Sequence, residues 1–439
     1  IGCYVIVMGI SLRRQSRVAC IEDADAKKLI LQLGVQTFAC LVPLGLLLGE
    51  SGHPAGALHL LSPLICALAA PALLAGLLLV GRLAPAVPAQ TRLTATSIAL
   101  VAAAVMLIGV GLAWPTPSRL LPAMLLNALA AAAVCWSIRH PAMHAAVATW
   151  LTLAWTLGIH LICGAVTWSE VEPGAMLAAL FSARTGQALV GPVAACAVAA
   201  ALLHRRQRRE LAIGYDLSAL VFSLLSIGVV TWFGFGVPGD AQHVIWVYLV
   251  YGAAAMVGAG RLKSTRVAWV GCILIQMAII QATVYAWPLQ QLPWPTALLI
   301  GAGACTVAAV VLRCARLTSD TANTYVDSLA GFALVGSWLA VMWMLNTLPS
   351  HSLAAFSARM AWTSVIWAVL AIVKRWPILL TGAEIAAIVS VCTALQCRLR
   401  SLEWYRLLSS PLHEPWVWQA HLLVIGGFCL VLIVARLAI

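Results

Sequence analysis

Apolar runs of about twenty residues follow one another along this chain, with gaps of under about twenty residues between them. A helix rising about 1.5 Å per residue needs that length to cross the hydrocarbon of a bilayer. The runs fall near 29–49, 59–80, 94–114, 119–137, 143–167, 175–203, 217–236, 242–260, 267–287, 295–312, 327–345, 352–373, 377–396 and 416–435. Gaps this short hold no folded domain. The chain therefore reads as all-α, a polytopic transmembrane helix bundle with about 14 complete spans. Residues 1–10 have the character of the second half of a further span, and neither the charged start nor the cleavage site of a signal peptide accompanies them. One truncated span is expected there, and the chain reads as a piece of something longer.

Composition agrees. Of 439 residues, 63% are hydrophobic and only 9% charged, against about 25% charged in soluble domains. The net charge of +12 sits in short clusters between the apolar runs, not in one patch. That is the distribution membrane topology requires, and it argues against nucleic acid as a partner. Membrane lipid is the expected surrounding, with other membrane subunits as further candidate partners. Arginine supplies 22 of the 26 basic residues, a usage that fits a GC-rich bacterial genome and a bacterial inner membrane. The thirteen cysteines lie mostly inside apolar runs and form no Cys-x-x-Cys. They read as small packing residues, with no metal site and no cofactor expected.

The basic clusters alternate along the chain. Arg205, Arg206, Arg208 and Arg209 follow the sixth run, Arg261, Lys263 and Arg266 the eighth, Arg313 and Arg316 the tenth, and Lys374 and Arg375 the twelfth. The opposite loops carry Glu50, Glu170, Glu172 and Asp240 instead. The positive-inside rule places the basic loops in the cytoplasm. Arg398, Arg400 and Arg406, after the thirteenth run, dissent from this pattern, and residues 400–409 read as a segment along the interface. Trp114, Trp168, Trp232, Trp287, Trp294, Trp343, Trp416 and Trp418 mark ends on the other side, as interfacial indoles do.

The sequence also repeats itself. Ala165-Val166-x-Trp168 and Phe181-Ser182-Ala183-Arg184 recur as Ala340-Val341-x-Trp343 and Phe356-Ser357-Ala358-Arg359, both at an offset of 175. Trp114-Pro115 has a counterpart in Trp287-Pro288. Arg13-Arg14-Gln15-x-Arg17 has one in Arg205-Arg206-Gln207-x-Arg209. These matches suggest tandem parallel six-helix repeats. Residues 1–17 would end a preceding unit, 18–209 and 210–375 would form two full units, and 376–439 would begin another. Small residues such as Gly45-x-x-x-Gly49 are expected to pack the helices within a unit.

A charge in hydrocarbon costs about 3 kcal/mol on insertion scales, so each one calls for a partner or a role. Arg184 and Arg359 stand about nine residues into their runs, at equivalent repeat positions. Each is expected either to bind an anionic group or to tie neighbouring helices through backbone carbonyls, and equal retention in both units favours the second. Glu384 is the carboxylate nearest mid-membrane, a candidate proton carrier or the partner of an arginine such as Arg359. His160 lies deep in the fifth run, opposite an apolar Val335 in the repeat, and is expected to be hydrogen-bonded. Gln276 and Gln281 are expected to bond between helices. Asp216 and Asp327 are expected to cap helix starts.

No Walker lysine motif, no Gly-x-Ser-x-Gly and no His-Glu-x-x-His occurs, so no enzymatic activity is expected. Two readings remain. One is a non-catalytic membrane protein with a structural, assembly or sensing role; the other is a transporter or permease for a small solute.

Overall fold

The computed structural model describes residues 58–81, 89–138, 141–169, 171–286, 294–314, 320–347, 352–406 and 414–438. Within them the chain is helical and contains no strand. Twelve helices among the described residues are long and apolar enough to cross a membrane. The fold is an all-α polytopic bundle. The expected span at 29–49, its Gly45-x-x-x-Gly49, the truncated span, the basic motif at 13–17, Glu50, Glu170, Arg316 and Trp287-Pro288 all lie outside the described residues.

The chain divides into two compact units, Ile1–Gly234 and Phe235–Ile439. In the first are α1 (Ser62–Gly81), α2 (Ala89–Ala113), α3 (Pro117–Ile138), α4 (Pro141–Ile162), the short α5 (Pro173–Leu180), α6 (Ala183–Arg205) and α7 (Arg209–Phe233). In the second are α8 (Ala241–Leu262), α9 (Thr265–Ala286), α10 (Trp294–Cys314), α11 (Asp320–Asn346), α12 (Leu353–Lys374), α13 (Pro377–Arg400), the single turn α14 (Glu403–Arg406) and α15 (Pro415–Ala438).

Within each unit, consecutive helices pair as antiparallel hairpins. The extensive pairings are α1–α2, α3–α4 and α6–α7 in the first unit, and α8–α9, α10–α11 and α12–α13 in the second. Every one of these hairpins turns at a basic loop. Three of the turns are tight, and each holds a non-glycine residue in the left-handed region: Gln207, Lys263 and Arg375. Lys263 and Arg375 end their helices by donating main-chain N–H bonds to Ala259 and Ala371. A short connection forces its two helices to be neighbours.

The packing is small inside and large outside. Ala95, Ala113, Ala123, Ala302, Ala333 and Ala340 are fully buried, while Trp232, Ile378 and Leu423 are more than three-quarters exposed. In water such an exterior would be one continuous apolar patch; in lipid it is the solvated face. With no hydrophobic force between helices in lipid, close backbone approach supplies the contact, and small residues permit it. In α8–α9, a Cβ added to Gly252 would stand 3.3 Å from the Gly271 carbonyl oxygen, and one on Gly271 would stand 3.1 Å from that of Gly252.

Two sequence expectations are corrected. Asp216 and Asp327 do not cap helix starts, because α7 and α11 begin about two turns earlier, at Arg209 and Asp320. Asp216 instead meets His204 of α6 at 2.9 Å, and Asp327 pairs with Lys374 of α12. α7 continues beyond the apolar run, with Arg209 and Glu210 exposed in its first turn. The run at 175–203 is likewise not one helix. It breaks at Phe181 and Ser182, the latter extended at φ −119°, ψ 160°. At 29 residues it was longer than one crossing needs. The counterpart Phe356-Ser357 lies inside the unbroken α12.

Of the dissenting basic stretch, Arg398 and Arg400 lie in the last turn of α13, and Arg406 ends α14. Gln396 donates to the Tyr405 hydroxyl at 2.6 Å, and Trp404 meets Trp416 edge-on with ring centroids 4.4 Å apart.

Candidate functional site

The break between α5 and α6 gathers two of the four intramembrane candidates. His160, in the last turn of α4, is completely buried, and its Nε2 lies 2.7 Å from the Thr185 hydroxyl. The same hydroxyl is 3.3 Å from the Ala179 carbonyl at the end of α5, to which Ser182 donates at 2.7 Å. The α4 terminus is closed by bonds from the Ala165 and Val166 amides to the His160 carbonyl, with Gly164 at φ +67° between. Arg184 is partly buried and close enough to act electrostatically on the imidazole. It is the second residue of α6, not the ninth of a longer helix, because the break restarts the count. His160 Nδ1 is enclosed without a hydrogen-bond partner. The imidazole is thus a wedge that bonds α4 to the restarted α6. Thr185, its partner, went unnoticed in the sequence, where only the adjoining Arg184 drew notice.

Arg359 and Glu384 stand on the paired helices α12 and α13. Ser357 and Ser390 exchange bonds there: each hydroxyl donates to the other's main-chain carbonyl at 2.8 Å. Ser364 donates to the Ala383 carbonyl at 2.7 Å. This antiparallel register sets Arg359 opposite Ile388, about one helical turn from Glu384. Arg359 is partly buried, with Nη1 enclosed and unbonded. Glu384 is partly buried and engaged with a neighbouring group.

Other interior polar groups bridge helices. Gln276 donates to the Ala297 carbonyl at 2.9 Å and Trp367 donates to Ser337 at 2.8 Å, whereas Gln281, expected to bond between helices, accepts from the Gly236 amide in the loop before α8 at 2.8 Å. Ser226 of α7 donates to the Gly186 carbonyl of α6 at 2.5 Å. At the far end of the first unit, His59 meets the Thr116 hydroxyl at 3.0 Å. No group of three or more His, Cys, Asp or Glu side chains that could hold a metal occurs among the described residues.

A groove of about 710 Å³ opens in the first unit between α3, α4, α6 and α7. Its walls are almost wholly apolar: Leu121 and Leu125, Val147 to Ile162 along one face of α4, and Gly191, Pro192, Ala195 and Ala199 of α6. Tyr215 of α7 also lines it. None of Arg184, Arg359 and Glu384 lines it, and neither does His160.

Compared with protein-family models, curated proteins and solved structures, the chain matches none. It is an integral membrane helical protein. Twelve apolar helices, an exterior of large apolar side chains and hairpins turning at basic loops carry that statement.

Proposed function

We propose that this protein has a non-catalytic structural, assembly or sensing role in its membrane, which the arginine-rich composition suggests is a bacterial inner membrane. One observation carries the reading: interior polar side chains such as Gln276, Ser357 and Ser390 bridge helix to helix, and the groove in the first unit is apolar. A carrier of polar solutes needs polar groups facing a wet cavity. Crossing bonds such as Ser357–Ser390 hold a bundle together and engage hydroxyls that a solute would otherwise bind.

The runner-up is a permease. The break at Phe181-Ser182 favours it, because discontinuous helices with exposed half-helix starts form the substrate sites of many transporters. Arg184 stands in such a start.

Osmotic swelling of proteoliposomes separates the two. Vesicles holding the protein are expected to take up glycerol, urea, amino acids and sugars no faster than protein-free vesicles. Arg359→Ala is expected to lower folded yield without changing any flux. Protein-dependent uptake that Arg184→Ala abolishes at unchanged abundance would establish the permease instead.

A further inference from the structure

The apolar groove of the first unit does not end blindly. It adjoins a smaller recess of about 330 Å³ lined by His144, Arg208, Leu211 and Tyr215, and the two share Val147 and Tyr215. From Val147 to Ile162 the groove follows α4 for about 22 Å at about 1.5 Å per residue, beyond the midpoint of a hydrocarbon layer about 30 Å thick. The recess lies at the basic end of the unit. Arg208 is exposed there, on the turn that Gln207 bends at φ 60°, beside the exposed Arg205, Arg206 and Arg209. His144 Nδ1 lies 3.1 Å from the Tyr215 hydroxyl, and the two rings meet edge-on. This leaves Nε2 as the imidazole's other polar atom. One continuous depression therefore runs from a cationic, hydrogen-bonding mouth at the membrane surface to an apolar trough inside.

The geometry points to a binding site for one anionic glycerophospholipid, its phosphate at Arg208, His144 and Tyr215 and an acyl chain along α4. The charge of the mouth selects the occupant. Apolar walls in lipid do not discriminate between acyl chains, because every lipid chain is as apolar as the protein. A headgroup phosphate is present in every phospholipid, but only an anionic lipid leaves a net negative charge at the arginine cluster. The trough is shaped by small residues: a side chain added at Gly158 would meet nothing within 4 Å.

Native mass spectrometry of the whole chain, titrated with dioleoylphosphatidylglycerol or dioleoylphosphatidylcholine, tests this. The unmodified protein is expected to retain one phosphatidylglycerol about fivefold more tightly than phosphatidylcholine, the effect of one arginine near an anionic headgroup. Arg208→Gln, at an exposed turn, is expected to abolish that preference. Gly158→Leu, which fills open space, is expected to remove the retained lipid altogether. Thermal unfolding in detergent checks that both variants fold like the parent. Equal retention of the two lipids by the unmodified protein overturns the proposal. So does undiminished retention by a correctly folded Gly158→Leu, which would place the lipid elsewhere.

Discussion

Replacing Ser357 and Ser390 probes how α12 and α13 are held together. Both side chains are more than nine-tenths buried, and each hydroxyl donates to the other's carbonyl at 2.8 Å. Side-chain bonds between transmembrane helices contribute about 0.6 kcal/mol on average and about 1.7 at most. Each carbonyl lies in the interior of its helix and keeps its main-chain partner after substitution. No group is then orphaned, and the larger desolvation penalty does not arise. Ser357→Ala and Ser390→Ala are each expected to cost about 0.6–1.7 kcal/mol. The two hydroxyls also lie 3.3 Å from each other, so the double variant is expected to show a coupling of about 0.5 kcal/mol or more. Ser357→Leu adds carbon where the hydroxyl already touches the opposite backbone. Pushing the helices apart is expected to cost a further 1–3 kcal/mol or so. Reversible unfolding in mixed micelles, titrated with SDS and followed by the fluorescence of the 18 tryptophans, reads all four variants. If Ser357→Leu is as stable as the alanine variants, the helices do not meet there and the register above is wrong. Neutral alanine variants beside a costly leucine would leave the contact standing and refute the contribution of the bonds.

Gly186→Leu is expected to lose at least 1–3 kcal/mol or so and to fall in abundance, since a Cβ there would stand 2.9 Å from the Ser226 carbonyl oxygen; an unchanged SDS midpoint would contradict the α6–α7 contact. Arg359→Met keeps most of the side-chain bulk and removes a charge whose Nη1 has no partner, so it is expected to be at least as stable as the parent; a loss above about 1 kcal/mol would reveal an anionic partner. Lys263→Gly relieves a left-handed residue at φ 48° and is expected to gain about 0.5–1 kcal/mol in the same titration.

The spans were legible because hydrocarbon thickness leaves little choice: a run such as 242–260 has one plausible role, and α8 covers it with a residue or two to spare at each end. Helix ends were harder. Asp216 looked like a cap because the apolar run starts at 217, yet the helix begins at Arg209, its first turn exposed at Arg209 and Glu210. The break at Phe181-Ser182 carries no proline or glycine at the break itself; its trace was excess length. Of the candidate residues, His160 was visible as a lone imidazole in an apolar run, but its bond to Thr185 depends on where α6 restarts, which periodicity does not encode. The groove was invisible for a similar reason. Nothing in the sequence around Gly158, Gly191 and Ala195 marks a groove; only the helix spacing shows that nothing packs against Gly158.

The tight turns at the basic ends bear on how the polypeptide enters its membrane. Two spans joined by a link as short as Lys263-Ser264 leave no slack for one to cross long before the other. Each such hairpin is suited to enter as a preformed couple, its positive link held back while the opposite loop is carried across. Epitope insertions should therefore be rejected at residues 206–208, 263–264 and 375–376, and tolerated between α4 and α5.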